Sequence, residues 1–490
     1  MKVLLMFEDR DLQLQETEDP RDQALCEDLE LETIFSAMAE GDSLMDRVCR
    51  QVLLSPLKDL HTIRYRQEMM EDALQNPKVL NSLYGLCLDT AEQRRNVWYT
   101  LHSFRLSSTF STALDLLEIY LDALKKLRKI ADESRNSFTS AGFRRFFSMV
   151  EEELTDEYFA QVQPLKYQLA CSGGILIGAE FGDYLQGVSY TFLQKKNRRS
   201  RLSWLFAPSY TIADRDDAGA NDLNVRKDRA INEATNALAQ SAEHLEQFFA
   251  LLRRELAFYV GAVRLRDRLK NRQMPICMPQ VLPAASEERA WENSYDVSLA
   301  LTKETAVVGN RGATRSQGLV IITGANQGGK TTFLRSVGQA QLMAQCGLFV
   351  GAEALTLPLR REIFTHFKRE EDRSMERGKL EEELSRMSRI ADCLQERDLI
   401  LFNESFSSTN EREGSQIFSQ ITRALLDRRV EVFSVTHLCA YAACFSEEPG
   451  AAFFRAQRLK DGQRTFRLLP GKPLDTAFGE DIYQKVFGKS

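Results

Sequence analysis

Apolar residues recur at three- and four-residue spacing through residues 25–275, where glycine and proline are sparse. This spacing places the apolar side chains on one face of an α-helix and predicts an overwhelmingly helical half of the chain. Residues 111–138 are one example, and the pattern in residues 228–269 is longer than an ordinary globular helix. A helix of roughly forty residues would extend about 60 Å, which predicts a lever or a coiled arm.

Two segments interrupt the helical pattern. Residues 171–212 contain glycines and alternate apolar with polar residues, which predicts a small strand-rich insertion at the far end of the arms. Residues 273–289 contain prolines and separate the helical half from the C-terminal part of the chain, so we predict a domain boundary there.

Strands alternate with helices after about residue 290. The pattern predicts strands at 318–324, 398–404 and 430–437, helices at 330–347 and 413–427, and a hairpin at 456–469 with Asp461 and Gly462 at its turn. Such alternation is typical of a largely parallel sheet in an α/β domain. The predicted fold class is therefore multidomain, with a mainly α-helical half followed by an α/β domain.

The composition fits a folded protein of several domains. The chain has 490 residues, of which 43% are hydrophobic and 27% charged, without a low-complexity tract. It has no apolar run of about 18 residues, and its first segment becomes acidic too soon for a secretory signal. We therefore expect a cytoplasmic protein with no membrane partner.

Charge and cysteine usage narrow the function classes. The nine cysteines are scattered without a Cys-x-x-Cys pair, which predicts reduced thiols buried as small apolar residues. The five histidines form no His/Cys cluster, so no zinc pattern is present in the sequence. The net charge of −6 argues against a uniformly basic DNA-coating surface and leaves basic patches as the place for nucleic-acid contacts.

The segment GANQGGKT matches the phosphate-loop pattern G-x-x-x-x-G-K-[ST] and lies between a predicted strand and a predicted helix. Its glycines let backbone N–H groups curl around a β-phosphate, and the helix N-terminus adds partial positive charge. Lys330 would neutralise β- and γ-phosphate oxygens, and Thr331 would ligate Mg²⁺, so ATP and Mg²⁺ are the predicted cofactors. The predicted nucleotide-binding residues are Gly324, Ala325, Asn326, Gln327, Gly328, Gly329, Lys330, Thr331 and Thr332.

A triphosphate site also needs an acidic group at a strand end, and the segment LILFNES supplies Asn403 and Glu404 there. Glu404 is the candidate that polarises water, and Asn403 joins Thr331 as a candidate metal ligand. A neutral amide binds hydrated Mg²⁺ less strongly than a carboxylate, so we expect slow hydrolysis. His437 closes the next strand, where it would sense a γ-phosphate. A solvated acid and a capping or surface histidine remain the alternative interpretations of Glu404 and His437.

With these segments in order, the chain resembles the MutS family of DNA mismatch repair ATPases, which are ABC-type ATPases. The likeness lies in TGANQGGKTTFLRS, in NESFSSTNEREG, in VTHL, and in CGLFVGAEALTLPLRREIFTHF, where a helix ends and a strand pair precedes the family's signature segment. Residues 31–74 resemble the start of the family's core domain. The resemblance implies that Pro56, Asp59, Arg66 and Gln67 determine the fold and take no part in catalysis.

The resemblance also implies a division into parts. These are a short N-terminal segment (1–24), a helical core domain (25–110), lever helices with a clamp insertion near 171–212 (111–275) and a P-loop ATPase domain (276–490). Only about 25 residues precede the core segment, which are too few for a domain. We therefore expect the family's mismatch-reading domain to be absent.

Two positions depart from the family's ATP site. Asn403 stands in place of the family's aspartate, and the signature segment reads EDRSMERGKLEEELSRM. Gly378 occupies the place where the family presents a serine to the partner's γ-phosphate, and Ser374 is the other candidate for that contact. Because two nucleotide domains of this family sandwich two ATPs, the resemblance implies a homodimer or a heterodimer with a MutS-like paralogue.

The segment KKNRRSR brings five cations together in the predicted insertion, namely Lys195, Lys196, Arg198, Arg199 and Arg201. At the tip of long arms they would contact the backbone of double-stranded or branched DNA without reading its sequence. A solvated hairpin turn is the alternative interpretation. The leading functional hypothesis is an ATP-gated DNA clamp in DNA repair or DNA-structure surveillance. The alternative is a regulatory or scaffold subunit that binds ATP and leaves catalysis to a partner.

Overall fold

The structure is a computed structural model, and it describes residues 2–15, 20–99, 106–169, 176–193, 211–213, 215–315, 318–369, 378–459 and 463–473. The chain groups into two compact units. The helical unit comprises Met1–Leu5 and Lys78–Leu256, and the sheet unit comprises Met6–Pro77 and Ala257–Ser490. The domain boundaries predicted from the sequence stay predictions. The two units show only which residues contact one another most, and they do not test those boundaries.

The helices confirm the helical pattern predicted for residues 25–275, apart from the strands of the insertion, in the part of the chain that the structure describes. They are α1 (Pro20–Asp28), α2 (Leu31–Ala39), α3 (Ser43–Leu54), α4 (Leu60–Gln75), α5 (Pro77–Tyr99), α6 (Leu106–Ser134), α7 (Ala141–Glu153), α8 (Asp156–Leu169), α9 (Asp217–Asn271), α10 (Val297–Thr302), α11 (Lys330–Gln345), α12 (Lys379–Cys393), α13 (Glu411–Asp427) and α14 (Cys439–Cys444). Helix α9 runs for 55 residues and begins before the predicted start at residue 228. Its first turns are mostly polar and exposed, so apolar spacing gives no signal there.

The strands of the described residues form three sheets. They are β1 (Leu176–Phe181), β2 (Gly187–Leu193), β3 (Gln280–Leu282), β4 (Glu288–Ser294), β5 (Asn310–Arg315), β6 (Leu319–Thr323), β7 (Ala354–Pro358), β8 (Ile363–Phe367), β9 (Leu399–Asn403), β10 (Glu431–Val435), β11 (Ala451–Arg458) and β12 (Arg464–Pro470).

The helical unit contains the predicted strand-rich insertion, because β1 and β2 pair antiparallel between α8 and α9. Its helical core includes an aromatic cluster in which the ring of Phe138 lies 4.7 Å from that of Phe143 and 5.1 Å from that of Phe147. The five basic residues predicted to contact DNA lie outside the described residues. They are Lys195, Lys196, Arg198, Arg199 and Arg201.

The sheet unit contains the largely parallel sheet that the sequence predicted. Its strand order is β12-β11-β6-β10-β9-β8, with only β12 antiparallel to its neighbour. Every residue of β6 and β10 is buried. Parallel strands covered on both faces form continuous apolar runs, which is why these strands could be recognised from the sequence.

A second sheet of the same unit was not predicted. It has the order β3-β7-β4-β5, and its strands mix buried with exposed residues. The strand pair expected before the signature segment corresponds to β7 and β8. Both strands are thus present, with β7 in this second sheet and β8 at the edge of the six-stranded sheet.

Residues expected to determine the fold have structural contacts. Asp59 caps α4 by accepting a hydrogen bond from the Thr62 amide at 2.7 Å. Arg66 is buried and donates to the carbonyl oxygens of Met6 and Cys346, each at 3.2 Å from the nearest guanidinium nitrogen. These bonds satisfy buried backbone acceptors, which is a role in stability.

The cysteine prediction holds only in part. Cysteines of the described residues form no disulfide, and half of them are buried, whereas Cys393 and Cys444 are exposed at the ends of α12 and α14. His, Cys, Asp and Glu side chains of the described ranges form no group of three or more suited to a metal ion. None of the helices in these ranges combines membrane-spanning length with sufficient hydropathy.

Candidate nucleotide site

The glycine-rich segment predicted to bind phosphate lies between β6 and α11. Gly324 and Gly329 have φ values of 110° and 86°, in the left-handed region that favours glycine. A Cβ at Gly328 would lie 2.6 Å from the Cβ of Ala456 and 2.9 Å from the carbonyl oxygen of Ala325. The conformation of the loop therefore requires glycine at these positions.

Lys330 begins α11, and its buried side chain folds back onto the loop. Its Nζ donates to the carbonyl oxygens of Gly324 at 2.9 Å and Ala325 at 3.0 Å. An ammonium group has three donors, so one donor remains for a phosphate oxygen. Burial lowers the pKa of Lys330 to about 8, although the Glu404 carboxylate partly offsets this effect. A bound anion would favour the protonated form and raise this pKa again.

Thr331 and Asn403, the two predicted metal ligands, are in direct contact. Thr331 Oγ1 donates a hydrogen bond to Asn403 Oδ1 at 3.0 Å. Both residues offer a neutral oxygen, and Mg²⁺ prefers oxygen ligands while it keeps several waters and binds phosphates. The pair therefore fits a hydrated Mg²⁺ ion that takes its negative ligands from a nucleotide.

Glu404 and His437 form a hydrogen-bonded pair at the ends of neighbouring strands. β9 and β10 are parallel with Asn403 opposite Val435, so the residues that follow them lie close together. His437 Nε2 lies 2.9 Å from Glu404 Oε1, and it donates the hydrogen bond when the carboxylate is ionised. This hydrogen bond lowers the pKa of Glu404 and outweighs the opposite effect of partial burial. Glu404 therefore stays an acceptor at neutral pH.

A cavity of about 450 Å³ opens over the loop, a volume typical of small-molecule sites. Loop residues 326–332 and Glu404 form one side of it. The other lining residues were not predicted, and they are Leu299, Lys303, residues 305–308, Asn310 and Phe466. These residues belong to α10, the loop after it, β5 and β12, which carry no motif in the sequence. Glu404, the candidate that polarises water, and Lys330, the candidate that binds phosphate, thus line the same open cavity.

The signature-segment candidates lie elsewhere or outside the described residues. Gly378 is the N-cap of α12, with φ −66° and ψ 147°, and does not line the cavity. A Cβ built on Gly378 would meet nothing within 4 Å, so a side chain fits there. Ser374 lies outside the described residues.

Two family profiles match the chain. Residues 58–272 match the MutS2 N-terminal domain, and residues 320–467 match MutS domain V. Together these matches cover well over half of the chain and include the phosphate loop, Glu404 and His437.

Individual relatives carry names of the same family. The chain is 26% identical over 211 residues to human MutS protein homolog 4, covering 41% of this chain and 22% of that protein. It is 32% identical over 160 residues to endonuclease MutS2 of Carboxydothermus hydrogenoformans, covering 32% and 20% respectively. It is 36% identical over 118 residues to the DNA mismatch repair protein MutS of Thermotoga petrophila, covering 24% and 15%. The similar segments thus span between 15% and 22% of these relatives.

Proposed function

Because this chain belongs to the MutS family, we propose that it is an ATP-dependent DNA-binding clamp that couples nucleotide binding and hydrolysis to DNA binding. One observation carries the proposal. The phosphate loop, the Thr331–Asn403 pair and the Glu404–His437 pair lie beside a single cavity in the part of the chain that matches MutS domain V.

ATP binding is assigned to the loop and the start of α11. Backbone N–H groups of residues 324–332 surround the β-phosphate, and the N-terminus of α11 adds partial positive charge. Lys330 uses its third donor on a phosphate oxygen. Thr331 and Asn403 would hold a hydrated Mg²⁺ ion, which would neutralise charge on the phosphates when bound. Val308 and Phe466 line the same cavity and offer apolar contacts to the remainder of the nucleotide.

Hydrolysis is assigned to Glu404. Its ionised carboxylate accepts a hydrogen bond from the attacking water and orients the oxygen toward the γ-phosphorus, giving ADP and inorganic phosphate. His437 donates to the same carboxylate and fixes its direction. We expect hydrolysis to be slow, because the amide of Asn403 would hold a Mg²⁺ ion less firmly than a carboxylate.

Dimerisation and DNA binding complete the proposal. Each nucleotide is shared between two chains, in a homodimer or with a MutS-like paralogue, and the start of α12 at Gly378 faces the partner's γ-phosphate. ATP closes the dimer because the closed state binds the γ-phosphate better than the open state does. The basic segment 195–201 contacts the backbone of double-stranded or branched DNA.

The second candidate function is a regulatory subunit that binds ATP without hydrolysing it. Asn403 and Gly378 favour it, because each lacks the functional group that the family uses at its position. The two candidate functions differ in whether ATP is hydrolysed, and both require that ATP is bound.

Phosphate release from Mg·ATP separates the two functions. We expect the purified chain to turn over slowly, and Glu404→Gln to lose about 100-fold in kcat while it still binds ATP. Glu396→Gln removes an exposed carboxylate of the same unit and serves as the matched control. Binding without turnover would favour the regulatory subunit. Equal turnover in wild type and Glu404→Gln would contradict the assignment of Glu404.

Gel shifts with duplex and branched DNA test the clamp. We expect a nonhydrolysable ATP analogue to change the affinity, and replacement of the five cations of residues 195–201 by glutamine to weaken binding and flatten its salt dependence. Glutamine at Arg226 and Arg229, which lie on α9, controls for loss of positive charge alone. The clamp would be contradicted if DNA binding did not change with the nucleotide, with the structure of the DNA or with replacement of these cations.

A further inference from the structure

The loop that carries Glu404 has an unusual backbone. Glu404 and Phe406 have φ values of 54° and 59°, in the left-handed region that residues with a side chain rarely adopt. Such a conformation persists only where surrounding contacts fix it. The contacts that fix the loop of residues 404–408 therefore also determine where the Glu404 carboxylate points.

Glu383 of α12 provides two of these contacts. Its buried carboxylate accepts a hydrogen bond from the Phe406 amide at 2.9 Å and another from Ser408 Oγ at 3.0 Å. Hydrogen bonds to a carboxylate are stronger than those between neutral groups. Glu383 does not line the cavity, so its contact with the ATP site is made through the loop.

A second set of contacts attaches the same loop to β8. Ser405 Oγ donates to the carbonyl oxygen of His366 at 2.6 Å, and the His366 ring stacks on Phe406 with centroids 5.3 Å apart. Because β8 belongs to the six-stranded sheet, these contacts attach the loop to the sheet. The Glu383 carboxylate attaches the same loop to α12, and the Glu383 carbonyl oxygen lies 3.1 Å from His366 Nε2, so α12, β8 and the loop meet at this point.

Glu383 is also close to the start of α12. Gly378, the N-cap of α12, lies five residues earlier, which is about 7.5 Å along a helix axis. A force on the N-terminus of α12 therefore reaches Glu383 through little more than one turn of helix.

We propose that Glu383 is a positioning residue that couples α12 to Glu404. The proposal rests on the proposed function, in which the start of α12 faces the nucleotide of the partner chain. Contact with that nucleotide fixes α12, Glu383 then fixes residues 404–408, and Glu404 is oriented toward water. Occupation of one ATP site thereby promotes hydrolysis in the other.

Three variants test the coupling. Glu383→Ala removes both hydrogen bonds, and Glu383→Gln keeps an oxygen that accepts from the Phe406 amide. Asp392→Asn is the matched control, because Asp392 is an exposed carboxylate near the other end of α12. The readouts are kcat and KM for ATP, equilibrium ATP affinity, and hydrogen exchange of the Phe406 amide.

We expect Glu383→Ala to lower kcat about tenfold or more with ATP affinity within about twofold, because only the orientation of Glu404 changes. Exchange of the Phe406 amide should rise, Glu383→Gln should fall between wild type and Glu383→Ala, and Asp392→Asn should match wild type. If Glu383→Ala does not fold, Glu383→Gln alone should show the loss in kcat.

The proposal is overturned if the Phe406 amide exchanges faster in a Glu383 variant while kcat is unchanged, or if kcat and ATP affinity fall in parallel. Absence of turnover in wild type would instead refute the hydrolytic function. In that case hydrogen exchange tests the coupling. ATP should slow exchange of the Phe406 amide in wild type and not in Glu383→Ala. Equal slowing by ATP in both proteins would contradict the coupling.

Discussion

Replacing Glu431 by glutamine perturbs a buried ion network that joins the two sheets of the sheet unit. Glu431 begins β10, and its Oε2 accepts hydrogen bonds from Arg289 Nη2 at 2.9 Å and Arg360 Nε at 2.6 Å. Arg289 lies on β4 of the second sheet, and all three side chains are less than a tenth exposed. The variant keeps the shape of the side chain and leaves two buried guanidinium groups without their counter-charge.

The pKa of Glu431 gives the magnitude. Burial alone would raise it, but the charges of Arg289 and Arg360 outweigh burial and lower it from 4.5 to about 2. A lowering by about 2.5 pH units at about 1.4 kcal/mol each contributes about 3 to 4 kcal/mol to folding at neutral pH. Removing one partner of a buried ion pair costs about 3–5 kcal/mol in other proteins, which agrees.

The same shift predicts a pH dependence. Because the folded pKa lies below the unfolded value, the contribution is complete above about pH 4.5 and is lost as the pH falls toward 2. At pH 3.5 Glu431 is mostly protonated in the unfolded state and mostly ionised in the folded state. The difference in the free energy of unfolding between wild type and Glu431→Gln should therefore be smaller than at pH 7 by about 1.4 kcal/mol.

Urea unfolding of the full chain at pH 7 and pH 3.5 measures both effects. Glu396→Gln is the control, because Glu396 pairs with Arg429 at 3.1 Å with both side chains at least half exposed, and such pairs contribute about 1 kcal/mol or less. Equal urea midpoints for wild type and Glu431→Gln at pH 7 would refute the reasoning, as would a difference that does not shrink at pH 3.5.

Three further predictions concern the ATP site. Asn403→Asp places a carboxylate beside Mg²⁺, so the Mg²⁺ concentration that half-saturates turnover should fall about tenfold, and an unchanged Mg²⁺ titration would contradict this. Because burial lowers the pKa of Lys330 to about 8, ATP affinity measured by calorimetry should fall up to about tenfold per pH unit above pH 8, with proton uptake on binding. An ATP affinity that stays constant up to pH 9.5 would contradict this prediction. Gly328→Ala forces a Cβ to within 2.6 Å of Ala456 and should weaken ATP binding about tenfold or more, whereas Gly85→Ala on α5 has open space and should bind normally. Equal ATP affinities of the two variants would count against the loop geometry.

The strands and the loop of the ATP site could be predicted because local sequence encodes them. β6, β9 and β10 are short, mostly apolar runs, and the phosphate loop, Glu404 and His437 follow directly or within two residues after their C-terminal ends. The phosphate loop has glycines where its backbone and close contacts demand them. Parallel pairing of these strands then places Glu404 next to His437. The order of elements implied this proximity, but the hydrogen bond between the two side chains could not be read from it.

The rest of the site depends on contacts between distant residues. Lys303 and Phe466 reach the cavity only through folding of elements that carry no motif. Glu383 is the third of three consecutive glutamates, yet it is buried, and its spacing from Leu380 and Met387 puts it on the apolar face of α12. The helical spacing alone would have predicted that Glu383 is buried. Its charge argued for an exposed position instead.

Titration calorimetry of ATP into the purified chain with Mg²⁺ tests the central claim most directly. We predict one ATP bound per chain, with binding lost in Lys330→Ala and kept in Glu404→Gln. A chain that binds no ATP, or that binds it equally well after Lys330→Ala, would contradict the account.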